Sequence, residues 1–149
     1  MHPPTEGTSM TGRLPTFDDA LAVLAGQNFS ALVGAELIAF GTGAAALKIP
    51  LRADLLQQHG VAHGGVLAYA ADNAITFAAG SLLGADVRTT GVSVGYIRPA
   101  AGAYLVATAT VVTSTSRSAV CSCEVVAFDE DDQASIVAIA QGTVRRAQS

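Results

Sequence analysis

The sequence predicts an α+β fold in which about six antiparallel strands wrap around one long central helix, with a short helix before them. The helix prediction comes from residues 64–83 (GGVLAYAADNAITFAAGSLL), a nearly uncharged stretch that is too long for one strand. The sheet prediction comes from stretches rich in Val, Ile, Thr and Ala, two before this helix and four after it. The simplest way to bury one helix with so many strands is to curve the sheet around it.

Each element has its own signal in the sequence. Acidic residues at 18 and 19 beside apolar positions predict a helix over 17–26, and glycines at 41 and 43 predict a hairpin between strands at 35–40 and 44–51. Residues 51–62 have no clear period and are expected to form a loop. Turn-forming residues divide the second half of the chain into four strands, expected to form an antiparallel meander, at 87–98, 104–115, 119–128 and 135–145.

The composition predicts one domain and excludes several kinds of partner. A chain of 149 residues, 50% of them hydrophobic, can bury one core, which we assign to residues 16–149 after a polar, flexible leader at 1–15. The net charge is -4 and the eight Lys and Arg are scattered, so no nucleic-acid-binding stripe is expected. The leader lacks the basic and apolar segments of a secretory signal, so we expect a cytoplasmic protein.

The long apolar segment at 64–83 has the length of a membrane span, but a carboxylate at its centre would be costly in a bilayer. We therefore expect a buried helix and no membrane association. Cys121 and Cys123 lie two apart in a strand, so they share a face but cannot readily form a disulfide. No metal or other cofactor is expected, because no second pair of ligands accompanies the two thiols.

The proposed architecture predicts a second subunit. Alanines at 68, 70, 71, 74, 78 and 79 would let the long helix lie close to the sheet. A sheet wrapped around one helix still leaves a long strand edge and part of the helix under-covered. We expect a second copy of the chain to cover them, giving a homodimer, with further assembly to a homotetramer.

The start of the long helix carries a candidate anion site. Gly64 and Gly65 follow His63 and fall in the first helical turn, where backbone N–H groups have no partner within the helix. Glycine lets a ligand approach these groups, and the helix dipole adds positive potential there. Such a site suits the oxyanion that forms when a carbonyl is attacked. A simple turn is the alternative interpretation of the two glycines.

Asp72 is the one charged residue in the long helix, and its neighbours one turn away are mostly apolar. Thr76 lies on the same face and can donate a hydrogen bond to it. A solvated surface role is the alternative. Asp72 follows Gly64 by eight residues, which separates them by about 12 Å along one helix. If both act on a reacting centre about 3 Å from each, then Gly64 of one subunit must face Asp72 of another.

These residues resemble a known family, the hot-dog-fold thioesterases of the phenylacetate-degradation and 4-hydroxybenzoyl-CoA thioesterase type. The resemblance covers roughly residues 30–146. It rests on HGG with an acid nine residues after its histidine, on SVGYIRPA at 93–100 followed by a glycine at 102, and on the closing AIAQGTVRR. The fold that the resemblance implies is the hot-dog fold.

The resemblance also implies roles for individual residues. Asp72 would be the nucleophile or general base that acts on a thioester, and the Gly64 N–H would polarise the carbonyl oxygen. Gln57 matches a polar position that contacts the thioester region in several members. Thr76 matches a hydroxyl near the carboxylate, and Thr89 matches a Ser or Thr that helps to position water.

Five further residues are candidates with a structural alternative. His63 matches a histidine that holds the loop at the helix start, and a direct proton-transfer role is the less favoured interpretation. Gly65 belongs to the same turn and would contact substrate. Asn73, beside the carboxylate, would either contact substrate or serve helix packing. Arg98 and Arg117 would meet the phosphates of CoA or be ordinary surface arginines.

The function predicted from the sequence is hydrolysis of an acyl-CoA or aryl-CoA to the free acid and CoA, without a cofactor. Water attacks either directly, activated by Asp72, or after an anhydride has formed at Asp72. One alternative is a hydroxyacyl-thioester dehydratase or hydratase, which would need His63 as a catalytic base. Another is a non-catalytic acyl-CoA-binding module. The acyl group itself is not predicted.

Overall fold

A computed structural model describes residues 13–147 of the chain, so most of the predicted leader at 1–15 lies outside the described residues. A short 3-10 turn, Ala53–Leu55, interrupts the segment at 51–62 that was predicted to be a loop. The other elements follow in the order α1 (Phe17–Ala25), α2 (Asn28–Val33), β1 (Glu36–Gly41), β2 (Ala44–Pro50), α3 (Gly64–Leu83), β3 (Val87–Tyr96), β4 (Tyr104–Ser114), β5 (Ser118–Phe128) and β6 (Ala134–Arg146).

The predicted architecture is confirmed: a six-stranded antiparallel sheet surrounds the long helix α3. The strand order across the sheet is β1-β2-β4-β5-β6-β3, and every pair of neighbours is antiparallel. Helix α3 contacts all six strands. The short helix α1 precedes the sheet as predicted, and Thr16 begins it with a capping box to Asp19.

The predicted four-strand meander is wrong for β3. Strands β4, β5 and β6 do follow one another across the sheet, but β3 pairs with β6 at the far edge. Both sides of β4 are already occupied, by β2 and β5, so β3 cannot lie beside it. The connection at 97–103 crosses the end of the sheet, where Ala103 N–H donates to the Phe128 carbonyl. Gly102 has φ +137° there, and an added Cβ would lie 2.5 Å from the Phe128 oxygen.

Helix α3 is buried because small side chains let the sheet approach it. Five of its alanines, Ala70, Ala71, Ala74, Ala78 and Ala79, have no exposed surface. By length and composition alone, the helix could cross a membrane, since an 18-residue segment of it has a mean hydropathy of 1.3. However, 67% of that segment is buried inside the protein. The burial agrees with the prediction that this segment is a core helix.

A β-bulge in β3 changes which side chains point toward α3. Thr89 pairs with Val144 and Gly91 pairs with the preceding residue Thr143, so Thr90 is an extra residue on β3. Successive strand residues normally point to opposite faces, and one extra residue reverses the alternation. Thr89 and Tyr96 are an odd number of residues apart, yet both side chains contact residues of α3.

The close approach of α3 to the sheet predicts the effect of one added methyl group. A Cβ at Gly142 would lie 3.3 Å from two carbons of Ile75 and 3.1 Å from the Gly91 oxygen. We expect Gly142→Ala to lower the free energy of unfolding by about 1–3 kcal/mol, measured by urea denaturation, because overpacking displaces the helix.

Gly26→Ala is the matched control, since its Cβ would meet only carbonyl oxygens at 3.6 and 3.7 Å. Its stability should stay within about 0.5 kcal/mol of the parent protein. Equal stabilities of the Gly142 and Gly26 variants would contradict the proposed contact between α3 and the sheet.

Candidate functional site

The first half of the candidate site lies at the start of α3. His63 is the N-cap, and its Nδ1 accepts a hydrogen bond of 2.8 Å from the Gly65 N–H. The acceptor role requires the proton of a neutral His63 to lie on Nε2. Gly65 therefore has its N–H engaged, whereas the Gly64 N–H makes no hydrogen bond within residues 13–147. Gly64 is thus the free backbone donor of this turn.

Tyr96 completes this half of the site and was not nominated from the sequence. A Cβ at Gly64 would lie 3.5 Å from the Tyr96 ring, and the Tyr96 hydroxyl donates to the Gly64 carbonyl at 3.3 Å. The signal in the sequence that could have pointed to Tyr96 is the rarity of aromatic residues, which make up only 5% of the chain. Its importance depends on the bulge in β3, which turns its side chain toward α3.

The second half of the site is a carboxylate that accepts a hydrogen bond from one threonine hydroxyl and has a second threonine hydroxyl beside it. Thr89 on β3 donates to Asp72 Oδ1 at 2.6 Å. Thr76 donates to the Asp72 carbonyl at 2.8 Å, and the two threonine oxygens are 2.7 Å apart. The structure therefore brings Asp72, Thr76 and Thr89 together on one face of the helix, half-buried beneath β3.

The two hydroxyl protons leave one carboxylate oxygen free. Each threonine has one proton to donate, and an ionised carboxylate is the strongest acceptor within reach, so the Thr89 proton goes to Asp72 Oδ1. Thr76 then donates to the Asp72 carbonyl or to the Thr89 oxygen. Asp72 Oδ2 makes no hydrogen bond in the described part of the chain. This oxygen is available to a substrate or to a water molecule.

The two halves are separated within one chain. Helix α3 runs unbroken from Gly64 to Leu83, so the eight residues between Gly64 and Asp72 span about 12 Å. Strand β3 runs antiparallel to the helix, with Tyr96 beside Gly64 and Thr89 beside Asp72. A free donor and a carboxylate are therefore both present, but they are too far apart to contact the same atom.

Asn73 lies in a different polar cluster. Its amide donates to Gln27 Oε1 and to the Tyr69 hydroxyl, both at 3.0 Å, and to Ser30 Oγ at 3.3 Å. These contacts join α3 to α2 and to the residue before it. Helix α2 was not predicted from the sequence, because six residues are too few to show a helical period. Substrate contact by Asn73 stays a prediction.

The remaining candidates lie outside both halves. Gln57 is in the loop before His63, where its Oε1 accepts the His59 N–H and its carbonyl accepts the Gly60 N–H. Arg98 donates to the Ile136 carbonyl at the start of β6, whereas the Arg117 carbonyl accepts the Arg146 N–H at the end of β6. Ten residues of strand separate these two ends, a distance of about 33 Å.

No group of three or more His, Cys, Asp or Glu side chains among residues 13–147 is placed to hold a metal ion. Cys121 and Cys123 are free and buried, and burial raises the pKa of the Cys121 thiol to about 11 and that of Cys123 to about 12. Both thiols therefore stay protonated and unreactive near neutral pH.

Sequence comparison decides the family. The profile of the Thioesterase superfamily matches residues 59–134, a span that includes the start of α3 and the Asp72 cluster. The chain belongs to the thioesterase superfamily. Thioester hydrolysis is therefore its general activity, and the predicted hot-dog fold is confirmed by solved thioesterase structures. A search of curated protein sequences gave no significant match.

Three solved structures illustrate the similarity of this chain to proteins of known structure. A thioesterase family protein from Silicibacter pomeroyi is 28% identical, with a TM-score of 0.79, over 83% of this chain and 92% of the other. A conserved protein from Pseudomonas aeruginosa is 32% identical, with a TM-score of 0.71, over 80% and 93%. The phenylacetic acid degradation protein PaaI from Thermus thermophilus is 30% identical, with a TM-score of 0.70, over 80% and 99%.

The contacts of Asn73 predict a stability role that can be separated from substrate contact. We expect Asn73→Ala to lower the free energy of unfolding by about 1–3 kcal/mol, because Gln27, Ser30 and Tyr69 lose a shared donor. Asn28→Ala is the matched control, since Asn28 is exposed at the start of α2. Unchanged stability with a raised KM for a thioester substrate would instead support substrate contact by Asn73.

Proposed function

We propose that this protein hydrolyses acyl-CoA or aryl-CoA thioesters at a site built from two subunits, with Asp72 of one and the Gly64 N–H of the other. The observation that carries the proposal is the carboxylate of Asp72, which has one oxygen held by Thr89 and the other free. Such a group can attack a thioester carbonyl or activate a water molecule, and a free N–H at a helix start can stabilise the oxyanion.

The exposed edge of β3 supports the two-subunit site. Among residues 13–147, strand β3 pairs only with β6, so its other edge is unpaired along the ten-residue strand, where alternate residues present free N–H and C=O groups. Val92, Tyr96 and Ile97 on or next to this edge are 39%, 56% and 48% exposed. Long apolar edges are normally covered, and a second copy of β3 would cover this one with main-chain hydrogen bonds.

The positions of Thr89 and Tyr96 along β3 give this pairing a register. An antiparallel pair of β3 strands with its two-fold axis near the step from Val92 to Ser93 puts Thr89 of one strand near Tyr96 of the other. The two residues would then lie within about one strand step, roughly 3.3 Å, of facing each other. Thr89 is hydrogen-bonded to Asp72, and Tyr96 covers Gly64. The pairing would therefore bring Asp72 of one subunit toward Gly64 of the other.

The chemistry can proceed by either of two routes. Asp72 Oδ2 attacks the thioester carbon to form an anhydride that water then opens, or it takes a proton from a water molecule that attacks directly. In both routes the carbonyl oxygen becomes negative and accepts a hydrogen bond from the N–H of the partner subunit's Gly64. Thr89 holds the carboxylate through Oδ1, and the released thiolate of CoA takes up a proton.

Replacing the carboxylate tests this chemistry directly. Asp72→Asn should keep the Thr89 hydrogen bond and the fold, yet lower kcat by about 10²–10⁴-fold, because an amide is neither a base nor a nucleophile. CoA release can be followed with a thiol-reactive dye, since the protein's own cysteines are buried.

His63→Asn is the control for the Asp72 variant, because asparagine also caps helices and should preserve the turn. We expect it to lower hydrolysis far less than Asp72→Asn. A larger loss at His63, together with hydration of an enoyl thioester, would favour the hydratase alternative and contradict the proposal.

The backbone donor can be removed without changing the helix. Proline lacks an N–H but is well tolerated at the first helical position, and His63 before it has ψ 138°, which suits a residue preceding proline. We expect Gly64→Pro to lower kcat by about 10²–10³-fold through loss of an oxyanion donor.

Gly64→Ala is the matched control, because it keeps the N–H and its Cβ meets the Tyr96 ring at an ordinary 3.5 Å. It should retain most of the wild-type kcat. Equal losses for the alanine and proline variants would mean that crowding, rather than the missing donor, is responsible.

The same β3 pairing provides a candidate site for the CoA phosphates. Arg88, Arg117, Arg145 and Arg146 lie together at one end of the sheet, and within residues 13–147 none forms an ion pair. Pairing would bring Arg98 of the partner subunit to this end. We expect Arg117→Ala and Arg98→Ala to raise KM for an acyl-CoA but not for the corresponding acyl-pantetheine, which lacks the nucleotide. A similar KM increase for both substrates would contradict the phosphate role.

A further inference from the structure

An apolar cavity of about 110 Å³ lies beside the second half of α3. Its walls come from α1, β1, α3 and the start of β3, and include Ala20, Val23, Phe40, Phe77, Gly80 and Val87. The rings of Phe40 and Phe77 meet edge to face, with centroids 6.3 Å apart. Aliphatic and aromatic walls of this kind favour a hydrocarbon group over a charged one.

The cavity borders the Asp72 cluster at Thr76. Thr76 lines the cavity, and its hydroxyl lies 2.7 Å from Thr89 Oγ1, which donates a hydrogen bond to Asp72. Along the helix, Thr76 lies about 6 Å beyond Asp72 and Gly80 about 12 Å beyond it. A group attached to a carbonyl carbon at Asp72 can therefore extend past Thr76 into the cavity.

Gly80 keeps this cavity open. An added Cβ at Gly80 would meet only Val87 Cγ2, at 3.7 Å, which is ordinary van der Waals contact, and its φ is not in the left-handed region. Crowding therefore explains the glycine at Gly142 but not the one at Gly80. Glycine in a helix interior is less stable than alanine, so the missing side chain at Gly80 costs stability without a steric need.

We infer that this cavity binds the acyl group of the substrate and that Gly80 determines which acyl groups fit. The inference rests on the proposed thioesterase function. An engineered protein cavity of about 150 Å³ with apolar walls binds benzene, so a slightly smaller cavity suits a compact apolar group of up to about six carbons. The substrate class is therefore a CoA thioester of a small aryl acid or a short branched acid.

The test compares wild type, Gly80→Ala and Gly80→Leu on benzoyl-CoA and acetyl-CoA. Leucine fills the cavity, so kcat/KM for benzoyl-CoA should fall by about tenfold or more, within the range that one or two methylenes produce in a specificity pocket. Hydrolysis of acetyl-CoA should change little. Gly80→Ala should show a smaller loss and a higher thermal midpoint. Ala22→Leu, which adds the same side chain on the exposed face of α1, is the control.

Equal losses for both substrates with Gly80→Leu, or no loss for either, would overturn the inference. Phe40→Leu provides a second test in case Gly80→Leu misfolds. It enlarges the cavity, so it should raise the ratio of octanoyl-CoA hydrolysis to benzoyl-CoA hydrolysis. An unchanged ratio would also count against the acyl pocket. If the Gly80→Leu effect disappears when residues 1–12 are deleted, that segment fills the cavity and the inference fails.

A binding measurement separates this inference from the proposed hydrolysis. In the Asp72→Asn background, benzoyl-CoA should bind more tightly than CoA, and Gly80→Leu should abolish that difference. If wild type cleaves no thioester yet the difference is present and sensitive to Gly80, the hydrolytic function fails and the acyl pocket stands. If hydrolysis occurs without any such difference, the acyl pocket fails alone.

Discussion

The unbroken helix α3 is the constraint on which the rest of this structure depends. Because it is continuous from Gly64 to Leu83 and encircled by six strands, the distance between its first free N–H and its single carboxylate is fixed at about 12 Å. A buried helix cannot bend locally to shorten that distance without losing hydrogen bonds or packing. The only way to use both groups on one thioester is to bring in a second helix, and the unpaired edge of β3 offers the place for it.

Much of this arrangement could be predicted from the sequence because it depends on local properties. The helix is visible as a long apolar segment, the cap as HGG, and the carboxylate as an isolated charge. Thr76 follows Asp72 by one helical turn, so their proximity follows from helical geometry alone. The resemblance gave Thr89 only a role in positioning water. Its contact with the same carboxylate was not predicted, because it joins residues 17 positions apart on different elements.

Other features depended on long-range pairing that the sequence does not encode locally. Strand β3 is excluded from β4, both sides of which are occupied, and lies instead beyond β6. The direction of Tyr96 follows from a single extra residue at Thr90. Asn73 is next to Asp72 in sequence, yet the helical rotation of about 100° per residue points it toward Gln27 and Tyr69 instead. The cavity beside Gly80 needs four elements to define it, so the glycine alone gave no signal.

The most direct test of the two-subunit site is complementation between two inactive subunits. Asp72→Asn and Gly64→Pro chains with different tags are co-expressed, and the mixed dimers are isolated by both tags. In a mixed dimer, one site has both defects and the other has neither, so we expect about half of the wild-type kcat per dimer. Each homodimeric variant should be nearly inactive. Mixed dimers as inactive as both parents would mean that Asp72 and Gly64 act within one chain, which would contradict a site shared between two subunits.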